Sequence, residues 1–156
     1  MTPMLLLFLL VPSALQAAAM SVDEGYFHRR RGLPTWERIG HPLDTLTAAA
    51  CFALLAFAPR STSALYTYIA LSAFSCLFIT KDEFVHAKHC APSEGWLHAV
   101  LFVLHPIVFF AFGVLWWFGA HPFILRAELA LTLSFLLYQV VYWSFIWRPP
   151  FIRNRL

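Results

Sequence analysis

Acids and histidines recur together along this chain at the spacing of one helical turn. His41 and Asp44 are three residues apart, Asp82, Glu83 and His86 lie within five residues with His89 just beyond, and Glu94 and His98 are four apart. A step of three or four residues along a helix rises about 4.5 to 6 Å. Both side chains of such a pair can therefore converge on one cation, as the i, i+4 histidines of zinc proteases do. At about 100° per residue, positions 82, 86 and 89 share a stripe roughly 60° wide, and positions 94, 98 and 105 one about 40° wide. Imidazole with carboxylate, and no thiolate pair, is a donor set for zinc, iron or manganese. The expected metal ligands are Glu83, His86, Glu94 and His98, supplemented by His41, Asp44 and His89. Asp82 is the candidate general base. His105, about 10.5 Å along the axis from His98, is too far to share an ion with it and is assigned to proton transfer or substrate.

Glu83-Phe84-Val85-His86 is also an E-x-x-H, the element that supplies a carboxylate and an imidazole in di-metal carboxylate bundles. Taken singly, each pair has a plainer reading. His41-Pro42-x-Asp44 is a helix start, with proline at the first helical position and an acid favouring the dipole. Ser93 and Glu94 after Pro92 read as a cap and a first-turn acid. Lys88 and His89 suit a solvated loop, and His121 before Pro122 a turn. Three acid–histidine pairs at one membrane depth outweigh these readings, because ionisable groups in a membrane are expensive and are retained for function. Other chemistries lack their motifs: there is no H-E-x-x-H, P-loop, G-x-S-x-G or Rossmann fingerprint. Cys51, Cys76 and Cys90 form no C-x-x-C pair, and the first two fall in apolar runs that suit small buried thiols.

The elements that must position these residues follow from composition. In 156 residues, 60% are hydrophobic, 17% aromatic and only 12% charged, against roughly 25% charged in soluble domains. Mean hydropathy is +0.68. So small a particle cannot hide that much apolar surface in its own core, so lipid must cover it. Apolar runs near 43–59, 64–81, 95–118 and 123–147 suit the 17 to 25 residues of a membrane-crossing helix, joined by short Gly/Pro-containing or polar hairpin connectors. The expected fold is an all-α polytopic membrane bundle of four core helices. Residues 1–20 form a further apolar segment that reads as an extra helix, a signal-like segment or a misassigned start. Residues 21–42 read as a basic cytoplasmic segment, 43–147 as the bundle and 148–156 as a basic cytoplasmic tail.

With alternating helices, Arg29, Arg30, Arg31, Arg38, Lys81, Lys88, Arg148, Arg153 and Arg155 fall on one side and only Arg60 and Arg126 on the other. By the positive-inside rule the richer side, including the C-terminus, is cytoplasmic, a bacterial inner membrane being the expected setting. The net charge of +3 is a topology signal, and no nucleic-acid partner is expected. Membrane lipid is the surrounding partner. The leading functional reading is a metal-dependent hydrolase or oxidoreductase acting on a lipid-soluble substrate. Proton or metal transport, haem-based electron transfer, and a structural assembly role without catalysis are the alternatives.

Overall fold

The computed structural model describes residues 2–119 and 122–147, and the described elements are all helical. Five helices are long and apolar enough to cross a membrane: α1 (Pro3–Arg31), α2 (Thr35–Phe57), α3 (Thr62–His89), α4 (Pro92–Trp117) and α5 (Pro122–Ile146). The protein is an all-α bundle with the length and apolarity of an integral membrane protein. Outward-facing Phe8, Phe57, Phe110, Phe123 and Phe145 are each more than two-thirds exposed, which is tenable only where lipid, not water, meets them.

α1 packs along α4, α4 against α3, α3 against α2, and α2 along α5. The two ends of the bundle differ. Toward the turn at residues 58–61 and the C-terminal end of α4 the interior is apolar, with Cys51, Phe52, Leu55, Phe112, Leu115 and Trp116 packed together. Tyr68 reaches into it and donates its hydroxyl to the Phe109 carbonyl (2.6 Å). The opposite end buries acids and histidines. Arg29, Arg30, Arg31, Arg38, Lys81 and Lys88 belong to that end, while Arg60 and Arg126 lie toward the apolar end. His121 and the tail 148–156, with Arg148, Arg153 and Arg155, lie outside the described residues.

Residues 3–22 are helical, with Leu9 in the core, in line with the extra-helix reading of the N-terminal segment. Other boundaries differ from the sequence reading. The segment 21–42 is helical except at Gly32 to Pro34, and it enters the bundle instead of lying outside it. Gly32 makes that turn possible: its φ is +76°, and a Cβ there would sit 2.7 Å from the Trp147 ring. α2 begins at Thr35, so Pro42 is interior and the helix-start reading of His41-Pro42-x-Asp44 fails. A membrane bundle tolerates such a proline because neighbouring helices satisfy the freed backbone group. The residues between the apolar runs 64–81 and 95–118 are also mostly helix: α3 tightens through a 3-10 turn at Ile79–Asp82, then continues to His89, and α4 starts at Pro92.

Candidate metal centre

Most of the buried acids and histidines, Asp23 and His105 apart, follow one rule. Glu24/His28, Glu37/His41, Asp82/His86 and Glu94/His98 are each an acid followed four residues later by a histidine, on α1, α2, α3 and α4 in turn. Residues at i and i+4 stack on one face of a helix, so each helix turns one such stripe inward. Two of the four pairs lie in the 21–42 segment that was read as external. The signal that could have found them is the spacing alone, taken without regard to hydropathy. On α1 the stripe is widened, because Asp23–His28 is a π-helical turn. Closing i→i+5 places Asp23 as well as Glu24 beneath His28, and such bulges are frequent at functional sites.

The four imidazoles form a closed ring. Centroid separations run 4.8 Å from His28 to His41, 6.0 Å from His41 to His86, 4.1 Å from His86 to His98 and 6.2 Å from His98 back to His28. Carboxylates surround it: His28 Nε2 is 3.2 Å from Asp23 and 3.8 Å from Glu94, and its Nδ1 is 3.4 Å from Glu24. His98 Nε2 is 3.1 Å from Asp23, and His86 Nε2 is 4.0 Å from Glu37. His28 and Glu37 are fully buried, and Glu94, His98, Glu24, Asp23 and His86 nearly so. Even so, both nitrogens of His28, both of His86 and Nδ1 of His98 have no hydrogen-bond partner. Buried polar atoms normally find one. Five imidazole nitrogens are left over in one cluster, and three of them, both of His28 and Nε2 of His86, have carboxylate oxygens within 4.0 Å without a hydrogen bond, a donor arrangement that suits a cation.

Two disjoint groups bring their donor atoms within 4.8 Å of one another: Asp23, His28, Glu94 and His98, and Glu37, His41 and His86. Further groups join Glu24 with His28 and His41, and Cys90 with His86 and His98. Burial pushes the Cys90 thiol up to about 12, so the carboxylate groups are the readier donors. Between the two main groups lies Arg31. Its Nη1 and Nη2 donate to Glu37 (3.3 and 2.8 Å), and its Nε and Nη2 donate to Glu94 Oε1 (3.1 and 2.9 Å). α5 holds the remaining carboxylate. Gln139 Nε2 and Trp143 Nε1 donate to Glu24 (2.9 and 2.8 Å), and Thr45 donates to Gln139 Oε1 (2.7 Å). Hydrogen bonds of this kind are the outer support that fixes ligand orientation where such residues hold a metal.

Of the residues picked out by sequence, His41, His86, Glu94 and His98 meet in this cluster. Glu83 and His89 do not: both are exposed on α3. The inward stripe of α3 runs through Asp82 and His86, about 40° apart, and leaves Glu83 about 100° from Asp82, while His89, on the same stripe, is the last residue of the helix and is exposed beyond the cluster. Asp44 and Asp82 are held together by Lys81, whose Nζ is 2.7 Å from Asp44 and 2.8 Å from Asp82. Trp36 Nε1 also donates to Asp82 (2.8 Å). Gly40 allows this approach, since a Cβ there would be 2.9 Å from Asp82 Oδ1.

His105 lies deeper, and both its nitrogens are engaged. Thr47 gives its hydroxyl proton to the Asp44 carbonyl (2.7 Å) and so accepts from Ser75 (2.8 Å). Ser75 in turn accepts from His105 Nε2–H (3.0 Å), and His105 Nδ1 accepts from the Gln16 amide (3.3 Å). This chain fixes a neutral tautomer. A cavity of about 210 Å³ connects the two levels, lined by Asp23, His41, His86 and His98 at one end and by Gln16 and His105 at the other. Comparison with protein-family models, curated proteins and solved structures gives no match.

Proposed function

We propose that the protein is a membrane metalloenzyme whose His/carboxylate centre, at the basic end of the bundle, holds two divalent cations and works on a lipid-soluble substrate. One observation carries the reading: five buried imidazole nitrogens without hydrogen bonds, three of which, both of His28 and Nε2 of His86, have carboxylate oxygens 3.2 to 4.0 Å away. Asp23, His28, Glu94 and His98 would hold one ion, and Glu37, His41 and His86 the other. The charge balance supports the same conclusion. Asp23, Glu24, Glu37 and Glu94 are buried against one guanidinium, Arg31. Four carboxylates against one permanent cation leave negative charge that bound cations or imidazole protons must balance in a low-dielectric interior. A scaffold needing polar residues only for helix register would have given the unpartnered imidazole nitrogens hydrogen bonds.

Zinc, iron and manganese fit this donor set. Such ions supply either a hydroxide from bound water at neutral pH or, for iron, redox chemistry with oxygen. The chain's own residues have definable tasks. Glu24, fixed by Gln139 and Trp143, orients His28, and Arg31 keeps Glu37 and Glu94 in place. The apolar cavity beside the ring excludes bulk water. We further assign the basic end to the cytoplasm. Metal analysis of detergent-purified protein tests the proposal. About two equivalents of zinc, iron or manganese per chain are expected, and a protein that retains no metal and shows no metal-dependent heat stability would refute it.

A further inference from the structure

We propose that the substrate is a single-chain amphiphile that reaches the centre sideways from the bilayer, through an opening between α1 and α5, and lies along the cavity with its polar group at the imidazole ring. This rests on the metalloenzyme reading for what happens at the polar end, but not for the route.

The route is set by how the ring of helices closes. The packed pairs run α1 to α4, α4 to α3, α3 to α2 and α2 to α5, which leaves α1 and α5 to meet. They are bridged by side chains at two levels. Ser13 donates to Glu128 (2.9 Å) at one, and Gln139 and Trp143 donate to Glu24 at the other. The bridging residues are eleven apart on α1 (13 to 24) and eleven apart on α5 (128 to 139), so the two helices run parallel and frame a window about 16 Å tall. Its sides are Ala17 and Ser21 on α1 and Leu131 and Phe135 on α5, all of which line the cavity. Ser21 and Leu131 are at the same time exposed on the outside of the bundle. One surface therefore faces both the interior and the lipid.

The shape selects the ligand. A volume of about 210 Å³ is below the roughly 300–1,000 Å³ of drug-sized pockets, so the space suits one slim chain and is too narrow for a two-chain phospholipid. Phe52, Leu101 and Phe102 give it an apolar wall. Its polar groups gather mainly at the ends, the imidazole ring at one and Ser13, Gln16, His105 and Glu128 at the other, where Gln16 Oε1 is buried without a partner, with Ser21 and Thr132 between.

The test uses the full chain in phosphatidylcholine nanodiscs with a palmitic acid carrying a mid-chain photoreactive diazirine, and maps the labelled peptides. Labelling should concentrate on residues 17–21 and 131–135 and be competed by plain palmitate. Leu131→Trp, at the half-exposed rim, should reduce it about tenfold or more by steric clash, as should Thr132→Phe if the first variant folds poorly. Leu137→Trp, on the outer face of α5 (63% exposed), should leave it unchanged. Labelling spread evenly over lipid-facing helices, an absence of competition, or equal labelling by a phosphatidylcholine bearing the same diazirine would overturn the proposal. Metal content measured on the same samples separates the two readings. Localised labelling of a metal-free protein sinks the metal centre and leaves the window, whereas a metal-loaded protein labelled evenly does the reverse.

Discussion

His28→Ala is the sharpest perturbation of the proposed centre. His28 is completely buried, belongs to two of the donor groups, and lies 3.2, 3.4 and 3.8 Å from the carboxylates of Asp23, Glu24 and Glu94. Loss of even an outer-shell partner commonly weakens a metal site 10- to 100-fold, so deletion of this ligand should weaken it by at least about 100-fold. For a metal supplied at 100 times its Kd, binding stabilises the fold by about 2.7 kcal/mol, and a 100-fold weaker site leaves about 0.4 kcal/mol. At about 2–4 °C per kcal/mol for a chain of this size, adding metal should raise Tm by roughly 5–11 °C in the unaltered protein and by under about 2 °C in the variant. The assay is thermal unfolding in detergent of chelator-treated protein, with and without metal, alongside direct metal analysis. An equal metal-dependent rise in His28→Ala would refute the argument that the orphaned imidazoles form the site.

Glu83→Ala and His89→Ala, both exposed on α3, should keep full metal content, which elemental analysis checks. Arg31→Gln should strip the partner from two buried carboxylates and destabilise the metal-free protein by about 3–5 kcal/mol, with Arg31→Lys a poor rescue because the forked geometry is lost. Urea or thermal titration reads both. His105→Leu breaks hydrogen bonds to Gln16 and Ser75 and should lower stability by about 1–3 kcal/mol without changing metal content. A variant that is both unaffected in Tm and depleted of metal would show that His105 is itself a ligand. Cysteine labelling in intact cells should find position 88 protected and position 61 accessible to an impermeant reagent, and the reverse pattern would place the centre on the opposite side of the membrane.

Membrane character and helical architecture were legible in the residues alone because hydropathy is a local property: a run such as 95–118 must cross lipid whatever its neighbours do. The uneven placement of Lys and Arg was equally readable, as was the Glu94/His98 stripe, which is internal to one helix. What the chain could not disclose locally was which stripe of each helix turns inward. Glu83 and Asp82 are adjacent and both near His86 in sequence, and only the packing of α3 against α2, with Lys81 and Trp36 anchoring Asp82, selects the second and leaves the first outside. The segment 21–42 was misplaced for a related reason. Its charges read as solvated, yet Arg31 pairs inside the bundle with Glu37 and with Glu94, the latter across 63 residues of sequence, which no local pattern encodes. Hydrophobicity acts residue by residue, whereas burying a charge is decided by whatever partner the tertiary fold brings to it.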